Sequence, residues 1–357
     1  MQQPRLVWPD ATRGLGVIAV VLFHTLIWHY QPFGSPSSKT GGIWSMIDTI
    51  LGRTRMPVLF ALSGLLAASG LSRGWANGTA VRRFVSNYYL YAVWLVVYFA
   101  FFALIPLTPS SPSDQPSLLV QLALPNTTLW FIFALATYPL VVVALRALKI
   151  PVWAIVTLAA GAWLLGNSID IPLDGDKLAR NFLFFVLGVY GGPILRRIAG
   201  LRWPATIAFC AVFVVFAQIG LHVENSWVVS PLVLMTNLAA IPAVISAVAQ
   251  LCKIPSLART ARFIGTRTLH VYVLHIPVLS LITLLLAGSN ELREMLSSSK
   301  IIDLVYPVVI TALCTAASLF LGYLIDRVSR GRAFALPARI DKILSSRETR
   351  MDRRSAR

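Results

Sequence analysis

Long apolar runs alternate with short polar segments along the whole chain. A helix that crosses a bilayer core of about 30 Å needs roughly 20 apolar residues. Ten runs approach or reach that length: 15–30, 56–71, 88–107, 129–147, 151–167, 181–195, 204–221, 229–251, 268–287 and 303–325. The pattern therefore predicts an all-α, polytopic integral membrane protein with about ten transmembrane helices.

The composition agrees with this prediction and excludes other classes of protein. Hydrophobic residues make up 57% of the 357 residues, charged residues make up 13%, and the mean hydropathy is +0.72. A soluble domain carries about 25% charged residues, so a nucleic-acid-binding domain is excluded despite the net charge of +17. The cysteines, Cys210, Cys252 and Cys314, lie in apolar runs without paired or metal-ligand spacing. We therefore expect neither a disulfide framework nor a metal site.

The basic residues predict the orientation of the ten helices. With the N-terminus in the cytoplasm, 24 of the 31 Lys and Arg residues fall in cytoplasmic segments and 7 fall outside. Cytoplasmic segments of membrane proteins carry such an excess of Lys and Arg. The positive-inside rule therefore predicts that both termini are cytoplasmic.

Two parts of the chain are expected, a transmembrane domain of residues 1–326 and a basic cytoplasmic tail of residues 327–357. From Asp326 to Arg357 the chain carries ten basic and four acidic residues. Such a tail either lies on anionic lipid, which attracts each Lys or Arg by about 1 kcal/mol, or is solvated and partly disordered.

An ionisable side chain lies in the middle of the first apolar run. His24 follows Arg13 by eleven residues, almost three helical turns, so both side chains are expected on one face, roughly 16 Å apart along the axis. Asp10 precedes Arg13 by three residues, a spacing that permits an ion pair. Ionisable residues within a membrane are costly and usually functional. The alternatives are a structural histidine bonded to a neighbouring helix and an arginine that merely marks a cytoplasmic helix end.

The second run adds two polar side chains, one at its outer end and one at the depth of His24. Arg55 is expected at the outer rim, and Ser63 lies eight residues or about 12 Å further in, level with His24. Arg55 is a candidate ligand for a polar substrate, and Ser63 a candidate to orient His24. The alternatives are a snorkelling arginine and a Ser-Gly pair that packs helices closely, with the hydroxyl bonded to its own preceding turn.

Five further residues, in three other runs, are candidates for the same chemistry. Arg82 and Arg83 open the third run on the cytoplasmic side, where they suit either phosphate recognition or the positive-inside rule. Trp130 opens the fourth run, a usual place for an interfacial aromatic residue. In the ninth run, Tyr272 and His275 are three residues apart and share a helix face.

Five motifs in chain order resemble those of the membrane-bound acyltransferase-3 family. They are Asp10–Gly14 with ten residues between Arg13 and His24, Arg55–Gly64, Arg82–Phe84, Leu129–Phe131 and Ile264–His275. The segment after Arg83 departs from the family pattern, because it reads Phe-Val-Ser-Asn-Tyr where a further Arg and a Pro are common.

The resemblance implies transfer of an acyl group, usually acetyl, from cytoplasmic acyl-CoA to a hydroxyl of a sugar, a surface glycan or a lipid-linked saccharide, at the inner membrane of the cell. It implies no bound cofactor, with acetyl-CoA as a donor substrate, and no nucleic-acid partner. In this scheme His24 is the general base. The other expected roles are catalytic for Arg13, donor-binding for Arg82 and Arg83, acceptor-side for Arg55 and Trp130, and supporting for Asp10, Ser63, Tyr272 and His275.

A second function also fits ten helices around a polar site. A transporter or flippase of a lipid-linked saccharide would move its cargo without chemistry, and no ester would form. The small number of acidic residues within the runs disfavours ion coupling.

Overall fold

The fold was examined in a computed structural model, which describes residues 7–33, 41–75, 78–105, 116–223, 226–286 and 288–345. In these ranges the chain is helical, without a β-strand, which confirms the all-α prediction. The helices are α1 Val7–Thr25, α2 Gln31–Phe33, α3 Gly41–Leu71, α4 Thr79–Leu104, α5 Leu118–Ala123, α6 Trp130–Ala147, α7 Val152–Ser168, α8 Gly175–Tyr190, α9 Gly192–Ala199, α10 Trp203–His222, α11 Ser226–Leu251, α12 Pro255–Gly265, α13 Thr268–Leu286, α14 Asn290–Ser298 and α15 Lys300–Ser329. A π-helical turn, Leu26–Tyr30, joins α1 to α2.

The helices confirm a polytopic membrane protein. Within the described ranges, eight helical segments are long and apolar enough to cross a membrane, and nine if α8 and α9, bent by 77°, form one span. The predicted run 181–195 corresponds to this bent pair of helices rather than to one straight helix. The run 151–167 is α7, which is apolar but has only 17 residues. The orientation of the termini stays a prediction.

Two helices extend well beyond the apolar runs that predicted them. The first run was placed at 15–30 and the second at 56–71, whereas α1 begins at Val7 and α3 at Gly41. The prediction stopped at charged residues, because these lower hydropathy. Both helices continue through these charges, since side chains such as Arg13 and Arg55 find hydrogen-bond acceptors inside the protein.

The chain folds into two units, and the first consists of Met1–Met56, Tyr98–Gln115 and Ala247–Ile325. In this unit α1 packs against α12 and α13. The α1–α12 contact needs glycine on both helices. A Cβ atom on Gly265 would lie 1.7 Å from the backbone oxygen of Asp10, and one on Gly14 would lie 2.5 Å from that of Ala261. The backbones therefore touch, which fixes the N-terminal half of α1.

The second unit consists of Pro57–Val97, Pro116–Ser246 and Asp326–Arg357. Here the C-terminal half of α3 lies directly on α8. A Cβ atom on Gly64 would lie 2.1 Å from the backbone oxygen of Phe185, and one on Gly188 would lie 2.0 Å from that of Ala61. Small residues permit such close approach between membrane helices. The predicted close packing at the Ser63-Gly64 pair is therefore confirmed.

Candidate active site

His24 lies in the last turn of α1, half-buried, among aromatic rings of the first unit. Its ring centroid is 5.4 Å from that of Phe23 and 4.7 Å from that of Trp28. Its Nδ1 atom is 2.9 Å from the carbonyl oxygen of Val20, one turn earlier. The ring is thus tied to its own helix through Nδ1.

The same Nδ1 atom meets a second histidine on another helix. His275 of α13 places its Nε2 atom 3.2 Å from Nδ1 of His24, and the ring centroids are 5.1 Å apart. The two residues are separated by 251 positions in sequence. The sequence marked both as intramembrane histidines but did not predict that they touch.

His275 is buried, with 1% of its surface exposed. Its Nδ1 atom lies 2.7 Å from the carbonyl oxygen of Tyr272 and 3.1 Å from that of Val271. Its own carbonyl accepts a hydrogen bond from the thiol of Cys314 at 3.4 Å. The ring and the backbone of His275 are therefore both held in place.

A proline two residues after His275 leaves one backbone carbonyl of α13 without its helical hydrogen bond. Pro277 has no N–H to donate to the carbonyl of Val273, four residues earlier. The hydroxyl of Tyr98 donates to that carbonyl instead, at 3.0 Å. The carbonyl that lacks its helical partner is thereby paired, next to the turn whose carbonyls hold the His275 ring.

Tyr272 and Arg55 also lie near the two histidines. The ring of Tyr272 is 6.0 Å from that of His275, in agreement with the predicted shared face. The guanidinium carbon of Arg55 lies 3.4 Å from the centroid of the Phe23 ring, and its Nη1 donates to the carbonyl of Leu51 at 3.0 Å. Arg55 is thus inside α3 and one ring away from His24, rather than at the end of a span as the sequence suggested.

Arg13 and Asp10 lie in the earlier turns of α1. The Nη2 atom of Arg13 donates to the hydroxyl of Thr268, the first residue of α13, at 3.2 Å. Asp10 is buried, 5% exposed, in the first helical turn, where a carboxylate interacts favourably with the helix dipole. Arg13 therefore joins the start of α13 to the helix that carries His24.

The two adjacent arginines of α4 have different partners within the second unit. Arg82 forms a bidentate ion pair with Asp341, with distances of 3.0 Å from Nε to Oδ1 and 3.1 Å from Nη2 to Oδ2. Arg83 donates from Nη2 to the carbonyl of Leu66 at 3.1 Å. A carboxylate thus occupies the fork of Arg82 that was predicted to hold phosphate.

Asp341 belongs to a C-terminal segment, residues 330–345, that packs against α4. The chain reverses at Arg330 and Gly331, whose φ angles are +52° and +82°. The backbone carbonyls of Arg332 and Ala333 then accept hydrogen bonds from Tyr89 and Trp94 at 2.9 and 2.8 Å.

Phe334 adds a ring contact, 5.4 Å from Trp94, and is itself buried. Residues 330–345 thus pack in part on α4, and whether the tail lies on anionic lipid or is solvated stays a prediction. Residues 346–357 lie outside the described residues.

Ser63 and Trp130 complete the predicted set, in the second unit. The hydroxyl of Ser63 donates to the carbonyl of Leu59, one turn earlier, at 2.7 Å. This is the bond that the structural interpretation of Ser63 predicted. Trp130 begins α6 and lies 5.7 Å from the ring of Phe60.

The predicted residues fall into two sets, one in each unit. The first unit holds Asp10, Arg13, His24, Arg55, Tyr272 and His275, and the second holds Ser63, Arg82, Arg83 and Trp130.

Sequence reasoning missed Phe23, Trp28 and Asp341. Phe23 directly precedes His24 and Trp28 follows it by four residues, so both could have been recognised from the sequence around His24. Nothing in the sequence marked Asp341 as a partner of Arg82.

A second polar cluster of the first unit surrounds His29, to which the sequence assigned no role. His29 is fully buried, with Nδ1 2.9 Å from the Thr283 hydroxyl and Nε2 2.7 Å from the Tyr306 hydroxyl. The next residue, Tyr30, donates to Asp303 at 2.5 Å. These bonds tie the π-helical turn to α13 and α15, directly after the turn that carries His24.

Comparison with known proteins identifies the family of the chain. An acyltransferase domain family matches residues 6–327, a range that includes all ten predicted site residues. Inner membrane protein YcfT of Escherichia coli (strain K12) is 26% identical over 360 residues, which cover 95% of this chain and 98% of YcfT. No solved structure matches the chain. The chain therefore belongs to the acyltransferase 3 family, as the resemblance of its five motifs predicted.

Proposed function

We propose that the protein is a membrane O-acyltransferase. It moves an acyl group, expected to be acetyl, from cytoplasmic acyl-CoA to a hydroxyl of a sugar, a surface glycan or a lipid-linked saccharide. The observation that carries the proposal is the environment of His24. Its half-buried imidazole lies in the first span, among Phe23, Trp28 and His275, in a chain of an acyltransferase family.

The chemistry assigned to His24 is general base catalysis. The neutral imidazole takes the proton of the acceptor hydroxyl while the hydroxyl oxygen attacks the thioester carbonyl. The carbon–sulfur bond then breaks, the thiolate of CoA takes the proton from the imidazolium, and the ester and CoA leave. Protons and electron pairs balance without a further reactant, so no bound cofactor is required.

The arginines supply charge for the donor. The guanidinium fork matches phosphate geometry, and CoA carries several phosphates. Arg82 and Arg83 bind these phosphates, and Arg13 neutralises charge at the thioester end, on the helix that carries His24. A donor at Arg82 competes with the carboxylate of Asp341, which occupies the same fork.

The remaining predicted residues act on the acceptor or support the base. Arg55 and Trp130 serve the acceptor side. Asp10, Ser63 and Tyr272 support the residues around them. Of the acceptor-side pair, Arg55 is separated from His24 by a single ring, that of Phe23.

The proposed location is the inner membrane of the cell, with both termini cytoplasmic. Eight or nine candidate spans support a multi-pass protein, and the relative YcfT is described as an inner membrane protein. A cytoplasmic N-terminus would place Arg13 on the side where acyl-CoA is made available.

The test is transfer of labelled acetyl from acetyl-CoA to glycans or lipids in membranes that contain the protein. Replacing His24 by Ala should lower transfer at least 10²-fold, because a positioned general base contributes about 10² to 10⁴ in rate. Mass spectrometry of surface glycans and lipids, with and without the gene, identifies the ester and the acceptor. The matched control is His222→Ala, since His222 is exposed at the end of α10 and has no proposed role.

Two results would contradict the proposal. One is full transfer by the His24→Ala protein at normal abundance. The other is movement of a lipid-linked saccharide without acyl-CoA and without ester formation, which is the behaviour of a transporter or flippase.

A further inference from the structure

The protonation of His275 follows from its two carbonyl neighbours. Nδ1 of His275 lies 2.7 Å from the oxygen of Tyr272 and 3.1 Å from that of Val271. Carbonyl oxygens only accept hydrogen bonds, so this nitrogen carries a hydrogen and donates it. In a neutral ring the other nitrogen, Nε2, then carries the lone pair. His275 therefore presents an acceptor to His24.

The protonation of His24 follows in turn. Its Nδ1 atom faces the carbonyl oxygen of Val20 at 2.9 Å and Nε2 of His275 at 3.2 Å. Both neighbours are acceptors, so Nδ1 of His24 carries a hydrogen that the two share. The lone pair of the neutral ring is then on Nε2, the nitrogen on the other side of the imidazole.

The opposite arrangement is unfavourable. For His275 to donate to His24, both of its nitrogens would need hydrogens, which makes the ring cationic. His275 is 1% exposed, and a buried charge without a counter-charge is costly. Nδ1 of His24 would also turn a lone pair towards the oxygen of Val20.

We infer that His275 is a positioning residue that, together with the carbonyl of Val20, fixes the tautomer and the orientation of His24, so that Nε2 of His24 is the base. The inference deepens the proposed function and rests on it. When His24 has taken a proton from the acceptor, its Nδ1–H remains bonded to His275 and to Val20. Orientation of a catalytic histidine through its second nitrogen is the role of the third member in a catalytic triad.

The surroundings of His275 suit this role. The ring bonds to its own preceding turn, and the thiol of Cys314 donates to the carbonyl of His275. The hydroxyl of Tyr98 donates to the carbonyl of Val273, to which Pro277 cannot donate. An acceptor held this rigidly orients its partner without reorganising during the reaction.

The first test compares two replacements of His275 in the full-length protein in lipid nanodiscs. His275→Leu removes the acceptor, and we expect kcat to fall on the order of 10²-fold with the KM for acetyl-CoA unchanged. His275→Gln keeps an amide oxygen near the former Nε2 position, and we expect it to recover at least tenfold of that loss. Thr283→Val is the matched control, because it removes a buried hydrogen bond from the same helix.

A purely structural role for His275 predicts a different pattern. Activity would then follow the amount of folded protein in all three variants, with kcat per folded molecule unchanged. That outcome, or full kcat in His275→Leu, would overturn the inference.

The second test reads the tautomer directly and needs no activity. The chain has five histidines, so ¹⁵N-histidine NMR of wild type and His24→Ala identifies the signals of His24. We expect the Nδ1–H form in wild type and a larger share of the Nε2–H form in His275→Leu, where the carbonyl of Val20 still accepts from Nδ1 but the second acceptor is gone. An Nε2–H form in wild type would refute the inference even if the protein transfers acetyl. Absence of transfer, with the tautomer as expected, would instead refute the proposed function alone.

Discussion

At the residue scale, two glycines decide where α1 lies. Gly14 and Gly265 bring the backbones of α1 and α12 into contact, and the carbonyl of Asp10 fills the space that a side chain at Gly265 would need. Arg13 and His24 are carried by the same helix, so the position of His24, the proposed base, depends on this contact.

The contact between Gly265 and the backbone of Asp10 predicts that a single methyl group at position 265 lowers the stability of the protein. In Gly265→Ala the added Cβ would lie 1.7 Å from the oxygen of Asp10, so the helices must separate. We expect a loss of about 1–3 kcal/mol in stability, the usual cost of overpacking, measured as a lower unfolding temperature in detergent. Gly161→Ala is the control, since its Cβ meets nothing within 4 Å and alanine favours a helix. Equal unfolding temperatures for the two variants would contradict the prediction.

The sequence identified candidate site residues but not their partners. An intramembrane histidine, a cation at a helix end and a Ser-Gly pair can each be recognised locally. The His24–His275 contact joins positions 251 residues apart, and the Arg82–Asp341 pair joins positions 259 apart. Such contacts are set by the packing of helices, which hydropathy and spacing do not contain.

At the element scale, the limits of the helices were the least predictable feature. Apolar runs located the spans, but the runs ended where charges began. Within the protein a charge does not end a helix if it has a partner, as Thr268 provides for Arg13 and the carbonyl of Leu51 for Arg55. The π-helical turn after His24 also had no sequence signal, and its hydrogen bonds through His29 and Tyr30 span more than 250 residues.

The C-terminal segment is the element with a direct consequence for donor binding. Its carboxylate at Asp341 holds the guanidinium of Arg82 in a bidentate pair. If Arg82 binds the phosphates of CoA, the segment competes with the substrate. The reversal at Arg330 and Gly331 and the bonds to Tyr89 and Trp94 keep the segment on α4.

Replacing Asp341 by Asn should therefore strengthen donor binding. An exposed ion pair is worth up to about 1 kcal/mol, so the KM for acetyl-CoA should fall by as much as roughly fivefold, with kcat unchanged. The measurement is initial rate against acetyl-CoA concentration. Lys342→Ala is the control, because this neighbouring side chain is exposed. An unchanged or higher KM in Asp341→Asn would show that the pair serves stability alone.

At the scale of the whole molecule, the orientation depends on whether the bent pair α8–α9 and the short helix α7 each cross the membrane. Helix α7 has 17 residues, about 25 Å at 1.5 Å per residue, against a bilayer core of about 30 Å. If α7 did not cross, every later segment would change sides. The count of 24 cytoplasmic and 7 external Lys and Arg residues therefore assumes that α7 crosses the membrane.

The orientation can be tested on the two sides of α7. Leu148 and Asp170 are exposed and flank this helix, so each can be replaced by Cys in a chain without Cys210, Cys252 and Cys314. In sealed, right-side-out vesicles, a membrane-impermeant maleimide should label Asp170→Cys, and should label Leu148→Cys only after permeabilisation. Labelling of both on one side would mean that α7 does not span the membrane, because a crossing helix must separate its ends. The excess of basic residues would then no longer support a cytoplasmic C-terminus, whereas the predicted sides of α1 with Arg13 and of α4 with its arginines would not change, because both helices precede α7.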